Sequence, residues 1–325
     1  MSSVSGQTAI ELQLVEIAEE YRGATDPNPP VAAAGLDLEG NLLSISAHEF
    51  AGKPHAEAKL IEDLKSKGSG GLSRLSTLMI TLEPCNHQGR TGPCTDLILK
   101  YPNIQKVIFA CRDLNGNVKG GGADRLRSAG IEVVEKFSHL VAQKRAENLL
   151  NPFFWHSKNK TPWVTIKTAH RENDSMIPPF GQKTFTSLES LKLAHQLRKR
   201  AGAIITGSGT VLADQPEFTV RHIPDFAQGQ SPRRWLIILD RRRRLDASVQ
   251  ALYEKLGFQV RFGRGPASIH DEIDFLGHQG VLEVLVEAGP TLSQAIQDQK
   301  LWNEWVKIKK TDLGDVVEIF QRIEK

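Results

Sequence analysis

The feature that most constrains this chain is a set of three short motifs: His55-Ala56-Glu57, Pro84-Cys85 and Pro93-Cys94. One imidazole and two thiolates are ligands that zinc prefers, and a fourth position left to water makes such a site catalytic rather than structural. Bound zinc lowers the pKa of water from about 16 to about 7, so hydroxide is available at neutral pH. The motifs therefore predict His55, Cys85 and Cys94 as metal ligands, with Glu57 as the group that carries the proton to a leaving amine.

The spacing of the motifs narrows the class of site. A His-x-Glu motif followed by Pro-Cys-x-x-Cys is the signature of zinc nucleobase deaminases, in which two residues separate the cysteines. Here eight residues separate Cys85 from Cys94. The wider gap requires a loop between the ligands, and Arg90 in that loop could reach a phosphorylated substrate. A disulfide between the two cysteines is the alternative, and it would leave His55 and Glu57 without a role.

Length and charge exclude several classes of protein. A chain of 325 residues suggests two domains of ordinary size, and a net charge of +3 does not demand a nucleic-acid partner. Three cysteines, an odd number, argue against a secreted disulfide framework. The N-terminus lacks a signal-peptide pattern, and no apolar run approaches the roughly 20 residues that a membrane-spanning helix needs. We therefore expect a cytoplasmic protein with no membrane partner.

Alternating helix and strand patterns predict two α/β domains. The first covers residues 1–150. Residues 151–162 contain two prolines and a polar stretch, which favours a linker. The second domain covers residues 163–325.

Local patterns place the metal-binding motifs on regular elements. A helix is expected to begin near Pro54 and to carry His55 in its first turn, and residues 77–82 read as the strand that delivers Cys85. Pro93 favours a helix start, where the helix dipole would lower the pKa of the Cys94 thiol.

The N-terminal half resembles the deaminase half of the bifunctional riboflavin-biosynthesis deaminase/reductase family. The matching pieces are residues 27–29 (PNP), 48 (H), 55–57 (HAE), 81–85 (TLEPC), 90–94 (RTGPC), 113–115 (DLN), 120–122 (GGG) and 129–131 (AGI). The resemblance implies a cytidine-deaminase-like three-layer α/β/α domain. It implies a small-molecule substrate, 2,5-diamino-6-ribosylamino-4(3H)-pyrimidinone 5′-phosphate, from which ammonia is removed. By motif position, Asn28, His48 and Arg90 are the implied substrate contacts.

The C-terminal half resembles the reductase domain of the same family, which has a dihydrofolate-reductase-like α/β fold and uses NADPH. The matching pieces are Lys167, Arg198, residues 210–216 (TVLADQP), Arg221 and residues 287–291 (EAGPT). The resemblance implies that Arg198, Asp214 and Arg221 hold ribose and phosphate and that Lys167 and Glu287 lie on the substrate side. Gly207 and Thr210 belong to a short Gly-containing turn that could let backbone amides approach a cofactor phosphate.

Two segments of this half depart from the family. Residues 171–174 (REND) replace the Ser-Leu-Asp-Gly that lines the family's site, so different local packing is expected there. The C-terminus is short, and residues 306–325 lack proline, which suggests that part of the cofactor-side sheet is missing or rebuilt. Residues 241–244, four consecutive arginines, are interpreted either as a solvated loop or as an anchor for the 2′-phosphate of NADPH.

These observations lead to one function and three alternatives. We expect an enzyme that deaminates the pyrimidine with Zn²⁺ and then reduces the ribosyl chain to ribityl with NADPH. The alternatives are a deaminase whose C-terminal half only binds substrate or forms dimers, a nucleic-acid base deaminase, and a zinc-stabilised binding module. Interspersed acidic residues in the N-terminal half argue against nucleic acid. The family resemblance also implies a homo-oligomer.

Overall fold

The structure, a computed structural model, describes residues 6–66, 68, 70–87, 92–114, 121–182, 184–226, 232–263 and 268–322. It divides into two compact units, Met1–Lys158 and Asn159–Lys325. Within the described residues, no helix is long and apolar enough to cross a membrane.

The first unit is built on a five-stranded sheet. Its elements in chain order are α1 (Gly6–Glu20), β1 (Ala32–Leu36), β2 (Leu42–Ala47), α2 (Ala56–Ser66), α3 (Gly71–Arg74), β3 (Thr77–Leu82), α4 (Cys94–Leu99), β4 (Lys106–Cys111), α5 (Gly122–Ser128), β5 (Glu132–Glu135) and α6 (Leu140–Asn159). The sheet order is β2-β1-β3-β4-β5. β1 is antiparallel to both of its neighbours, whereas β3, β4 and β5 are parallel.

Helices cover both faces of this sheet because its strands are apolar on both sides. In β3, Met79 packs with α1 and α6, while Leu78 and Ile80 pack with α2, α4 and α5. Successive strand residues point to opposite faces, so one strand supplies both cores. The expected three-layer α/β/α domain is confirmed.

The helix α6 differs from the sequence prediction. Residues 151–159, expected to be part of a linker, continue the helix through Pro152. Pro152 is buried, and Phe153 and Phe154 pack against the core of the first unit. This apolar packing offsets the backbone hydrogen bond that proline removes, so the prolines do not mark the end of the helix.

The second unit contains a seven-stranded sheet. Its elements are β6 (Trp163–His170), α7 (Leu188–Arg200), β7 (Ala203–Gly207), α8 (Ser208–Asp214), β8 (Trp235–Leu239), α9 (Ala247–Lys255), β9 (Gln259–Gly263), α10 (Ile269–His278), β10 (Glu283–Glu287), α11 (Pro290–Asp298), β11 (Glu304–Thr311) and β12 (Gly314–Gln321). The order is β12-β11-β6-β10-β7-β8-β9, and all neighbours are parallel except β11 and β12.

The C-terminal residues, from which we expected part of the cofactor-side sheet to be missing or rebuilt, form the β11–β12 hairpin. β11 pairs in parallel with β6 through six residues, so the hairpin continues the sheet. The carboxyl ends of β6, β7, β8 and β10 open on the same edge of the sheet, where ligands bind in open α/β folds.

Candidate active sites

Three separate segments bring the predicted zinc ligands together. His55 directly precedes α2, Cys85 follows β3, and Cys94 is the first residue of α4. The Nδ1 atom of His55 lies 3.7 Å from the Sγ of Cys85 and 3.4 Å from the Sγ of Cys94, and all three ligand atoms lie within 4.8 Å of one another. Tetrahedral zinc would separate its nitrogen and sulfur ligands by about 3.6 Å. The residues therefore fit the ion, and both cysteines are free rather than disulfide-bonded.

The protonation of the two thiols differs from the sequence prediction. The Cys94 thiol donates to Cys85, which with the nearby His55 lowers the pKa of Cys85 to about 4, against the opposing effect of burial. The same hydrogen bond and burial raise the pKa of Cys94. The expected lowering at the start of α4 is therefore wrong for Cys94, because two adjacent sulfurs share one proton.

Glu57 lies beside the ligands in the first turn of α2. Its side chain is buried, and burial followed by the Cys85 charge raises its pKa. The raised pKa brings this carboxyl group closer to the neutral range, and its position beside the predicted metal suits a proton carrier.

A cavity of about 400 Å³ opens onto this centre. Asn28 and His48 both line it, and the Nδ2 of Asn28 lies 3.2 Å from the Nε2 of His48. The Nδ1 of His48 donates to the Pro54 carbonyl at 3.0 Å, so Nε2 is the acceptor for Asn28. Burial and the neighbouring His55 lower the pKa of His48, which keeps this ring neutral. The predicted contact Arg90 lies outside the described residues.

The cavity lining also includes residues to which the sequence assigned no role, among them Glu83, His87, Asp113 and Phe153. Glu83 lies two residues before the predicted ligand Cys85 in the Leu-Glu-Pro-Cys motif, and this proximity could have identified it as a site residue. Its carboxylate accepts hydrogen bonds from the backbone of Asp113 and Ala123. Phe153 lies in the segment expected to be a linker, where no pattern indicated a site residue.

The second unit contains a larger cleft of about 750 Å³. It is lined by most of the residues that the sequence singled out in this half, namely Lys167, Arg198, Thr210, Asp214, Arg221 and Glu287. Gly207 is not among its lining residues. It ends β7 and caps α8 instead.

Glu287 is the electrostatic centre of this cleft. Lys167 lies next to it in register on β6, with its Nζ 3.4 Å from Glu287 Oε2. Arg198 donates from Nε and Nη2 to the two carboxylate oxygens, and from Nη1 to the Thr219 carbonyl. Burial alone would raise the pKa of Glu287, but Lys167 and Arg198 lower it to about 2. Arg198 is thus engaged by the protein itself, although the resemblance implied a ribose or phosphate contact.

A pair of histidines beside Arg221 was missed by the sequence reasoning. The backbone N–H of Arg221 donates to His195 Nδ1 at 3.0 Å, and the ring of His222 packs edge-on against His195 at 4.7 Å between centroids. Burial, followed by Arg198 and His222, lowers the pKa of His195 to about 4. His195 precedes Arg198 by three residues on α7, and this helical spacing was the signal that could have found it.

The divergent residues 171–174 do not line the cleft. They form a turn after β6 in which the Asp174 N–H donates to the Arg171 carbonyl, and Asp174 has a φ of 59°. The Asp174 carboxylate lies 3.5 Å from the Lys309 ammonium. Glu172, Asn173 and Asp174 are therefore exposed, and this segment contributes no side chain to the cleft.

Comparison with protein families matches both halves. Residues 7–111 match the zinc-binding region of cytidine and deoxycytidylate deaminases, and residues 166–308 match the RibD C-terminal domain.

Comparison with individual proteins gives matches along most of the chain. The riboflavin biosynthesis protein RibD of Corynebacterium ammoniagenes is 33% identical over 90% of this chain and 82% of its own length. RibD of Aquifex aeolicus is 39% identical over 66% of this chain, and this match spans 57% of that protein. Among solved structures, a diaminohydroxyphosphoribosylaminopyrimidine deaminase/5-amino-6-(5-phosphoribosylamino)uracil reductase from Thermotoga maritima has a TM-score of 0.79 and 29% identity, over 94% of this chain and 86% of that one.

Replacing His195 tests whether its buried imidazole is neutral in the folded chain. Because its pKa falls from 6.5 to about 4 in the folded chain, the unfolded chain binds more protons between these values. His195 therefore makes stability rise with pH across this window. We expect His195→Gln, which keeps an acceptor for the Arg221 N–H, to flatten the rise in unfolding free energy measured by urea denaturation between about pH 4 and 6.5. The control is His270→Gln, at an exposed position of α10, and a wild-type slope in His195→Gln would contradict the assignment.

Proposed function

The chain belongs to the RibD family of riboflavin biosynthesis proteins, and on this premise we propose the reaction that each of its two sites performs. The first site removes ammonia from 2,5-diamino-6-ribosylamino-4(3H)-pyrimidinone 5′-phosphate. The second reduces the ribosyl chain of the product to ribityl with NADPH. The observation that carries the proposal is the convergence of His55, Cys85 and Cys94 beside buried Glu57.

In the first site, zinc would be held by His55 and the two cysteines and would supply an activated water molecule for attack on the amino-bearing ring carbon. Glu57 takes the proton of that water and gives it to the departing amine. Asn28, whose Nδ2 is committed to neutral His48, accepts a hydrogen bond from the pyrimidine through Oδ1. Arg90 binds the phosphate from the loop between the cysteines.

Replacing Glu57 separates catalysis from metal binding. We expect Glu57→Gln to lower the rate of ammonia release by at least about 100-fold, because the amide cannot carry the proton. Zinc content, measured by atomic absorption, should remain one ion per chain because Glu57 is not a ligand. Wild-type ammonia release in a variant that retains zinc would show that Glu57 is not the proton carrier. A wild-type chain that binds zinc but releases no ammonia would favour the zinc-stabilised binding module.

The cleft of the second unit supports the reductase assignment. Ion pairs with Lys167 and Arg198 hold Glu287 ionised and fixed at the end of β10. Asp214 and Arg221, also at the cleft, suit ribose hydroxyls and a phosphate. A substrate bearing a ribosyl phosphate therefore finds both groups that it requires in one cavity.

The carboxyl ends of β7 and β8 fit the cofactor. Asp240 follows β8, and its buried carboxylate holds the segment that follows: Oδ2 accepts from the Leu245 N–H at 2.9 Å, and Oδ1 lies 3.9 Å from Arg244 Nε. Arg244 donates to the Ser208 hydroxyl at 2.8 Å, and a Cβ on Gly209 would lie 3.9 Å from its guanidinium. We assign this cation beside the glycine turn to a phosphate of NADPH, and Gly207 and Thr210 to the same turn.

The two activities can be tested in one protein. Purified Glu57→Gln should oxidise NADPH, followed at its absorbance band, when given the deaminated intermediate but not when given the diamino substrate. Lys167→Met should lower NADPH oxidation by about 100-fold, since it removes a cation from the reacting region, whereas Lys255→Met at the end of α9 should not. Failure of the wild-type chain to oxidise NADPH with the intermediate would favour the deaminase-only alternative.

We also propose that the chain forms a homo-oligomer along β12. This strand lies at the edge of the second sheet, and its apolar side chains are exposed on both faces, at Val316, Val317, Ile319 and Phe320. Exposed apolar edge strands favour pairing with another chain. The free thiols and the NADPH requirement further suggest a reducing, cytoplasmic location.

Charge on β12 should break this association. We expect the double variant Val317→Lys and Ile319→Lys to shift the mass measured by light scattering from a multiple of the chain mass to that of a single chain, because lysines on an edge strand oppose pairing. Leu140→Lys, at an exposed apolar residue of α6, is the control. An unchanged mass in the double variant would place the interface elsewhere.

A further inference from the structure

The wide spacing of the two cysteines raises the question of what fixes the distance between their sulfur atoms. A Cys-x-x-Cys pair is held by one tight turn, whereas here the cysteines belong to two segments, one after β3 and one at the start of α4. Three local hydrogen bonds join these segments. Cys94 N–H donates to Cys85 Sγ at 3.3 Å, Thr95 N–H donates to the Cys85 carbonyl at 3.2 Å, and the Thr95 hydroxyl donates to Asn86 Oδ1 at 2.9 Å.

A side chain from a third element spans both segments. On α5, Arg125 donates from Nη1 to Asn86 Oδ1 at 2.9 Å and to Thr95 Oγ1 at 3.3 Å. Its Nη2 forms an ion pair with Asp96. Asn86 directly follows Cys85, and Thr95 directly follows Cys94, so one guanidinium contacts the residue after each sulfur ligand.

The helix that carries Arg125 is itself fixed against the Cys85 segment. A Cβ on Gly122 would lie 2.1 Å from the Pro84 carbonyl oxygen, so only glycine permits this approach. The Ala123 N–H donates to Glu83 Oε1 at 2.8 Å. The base of α5 therefore cannot move without displacing the residues that precede Cys85.

Comparison with a neighbouring arginine, Arg127, distinguishes this arrangement from an ordinary surface ion pair. Arg127 lies on the same helix with similar side-chain exposure, 39% against 42% for Arg125. It pairs with Asp124 and Glu135, neither of which adjoins a cysteine. The chain thus provides two arginines that are alike except in whether they bridge the ligand segments.

We propose that Arg125 is a positioning residue for the zinc site, which holds the segment after Cys85 against the segment after Cys94. Its planar guanidinium presents donors to three acceptors in a fixed geometry, whereas a lysine ammonium is a compact charge on a flexible stem. The inference rests on the proposed zinc site, and it extends that site to a residue that touches neither metal nor substrate. Its physical effect is on the geometry and lifetime of the metal complex.

The test compares metal binding in the full-length chain and in Arg125→Ala, Arg127→Ala and Arg125→Lys. Zinc release is timed with a chromogenic chelator, and Co²⁺ is substituted to record its visible d–d and sulfur charge-transfer bands, which report ligand geometry. Arg125→Ala should release zinc about tenfold faster, in line with the loss of groups that orient ligands, and its cobalt bands should change. Arg127→Ala should match wild type in both measurements, and Arg125→Lys should lie between.

The outcomes distinguish a failure of the proposed zinc site from a failure of the positioning role of Arg125. If the wild-type chain binds neither zinc nor cobalt through its thiolates, the proposed zinc site itself fails. If it binds them and Arg125→Ala matches Arg127→Ala in release rate and spectrum, the positioning role fails. Should Arg125→Ala not fold, judged by circular dichroism, Arg125→Lys decides, because wild-type release and spectrum in that variant would overturn the proposal.

Discussion

Three acidic groups placed together in a poorly hydrated region are the constraint on which the first site depends. Both cysteines must lose their protons to bind a metal, and Glu57 would be anionic in water, but close together and buried the three groups cannot all ionise. The lowered pKa of Cys85 and the raised values of Cys94 and Glu57 describe this competition. A divalent cation resolves it, because it neutralises both thiolates and releases the proton that they share. The protein thus places acidic groups close together at this site. Within the described residues, no lysine or arginine contacts the two sulfur atoms directly. A site of this kind is electrostatically suited to a resident metal cation.

In the second site, buried negative charge is balanced by lysine and arginine side chains of the protein itself. Glu287 is as deeply buried as Glu57, yet its pKa is lowered to about 2 because Lys167 and Arg198 contact it directly. Removing one partner from such a cluster leaves an unpaired buried charge, which is strongly destabilising. One unit therefore has a carboxyl group suited to carry a proton, whereas the other has a carboxylate suited to fix the position of a lysine. The two roles follow from the neighbours of each carboxylate rather than from residue type.

The sequence predicted the parts of each site that short motifs encode, and missed the parts that depend on distant packing. His55, Cys85 and Cys94 were found because ligand type and spacing are visible along the chain. The ion pair between Arg198 and Glu287 was not, since 89 residues separate them and only the parallel sheet brings them together. The continuation of α6 through Pro152 was missed because core packing outweighed the local preference of proline. Arg125 had no motif at all. The α/β class and the main strands were predictable from apolar runs, whereas β9, β11 and β12 carry polar residues that obscure the pattern.

Two segments depart from the family pattern, and where they lie in the structure bears on whether the reductase site is retained. Residues 171–174 form an exposed turn whose Asp174 contacts Lys309 on β11, and the C-terminal residues form β11 and β12, of which β11 contributes Ile308 to the cleft. The charged side chains that line the cleft in this chain lie on β6, α7, α8 and β10 or in the segment after α8, outside both departing segments. Loops at a sheet edge tolerate substitution, whereas a buried ion-pair cluster does not tolerate the loss of one member. The Lys167–Glu287–Arg198 cluster is intact, and it is stronger evidence on reductase activity than the altered turn. This favours an active second site over a catalytically degenerate one.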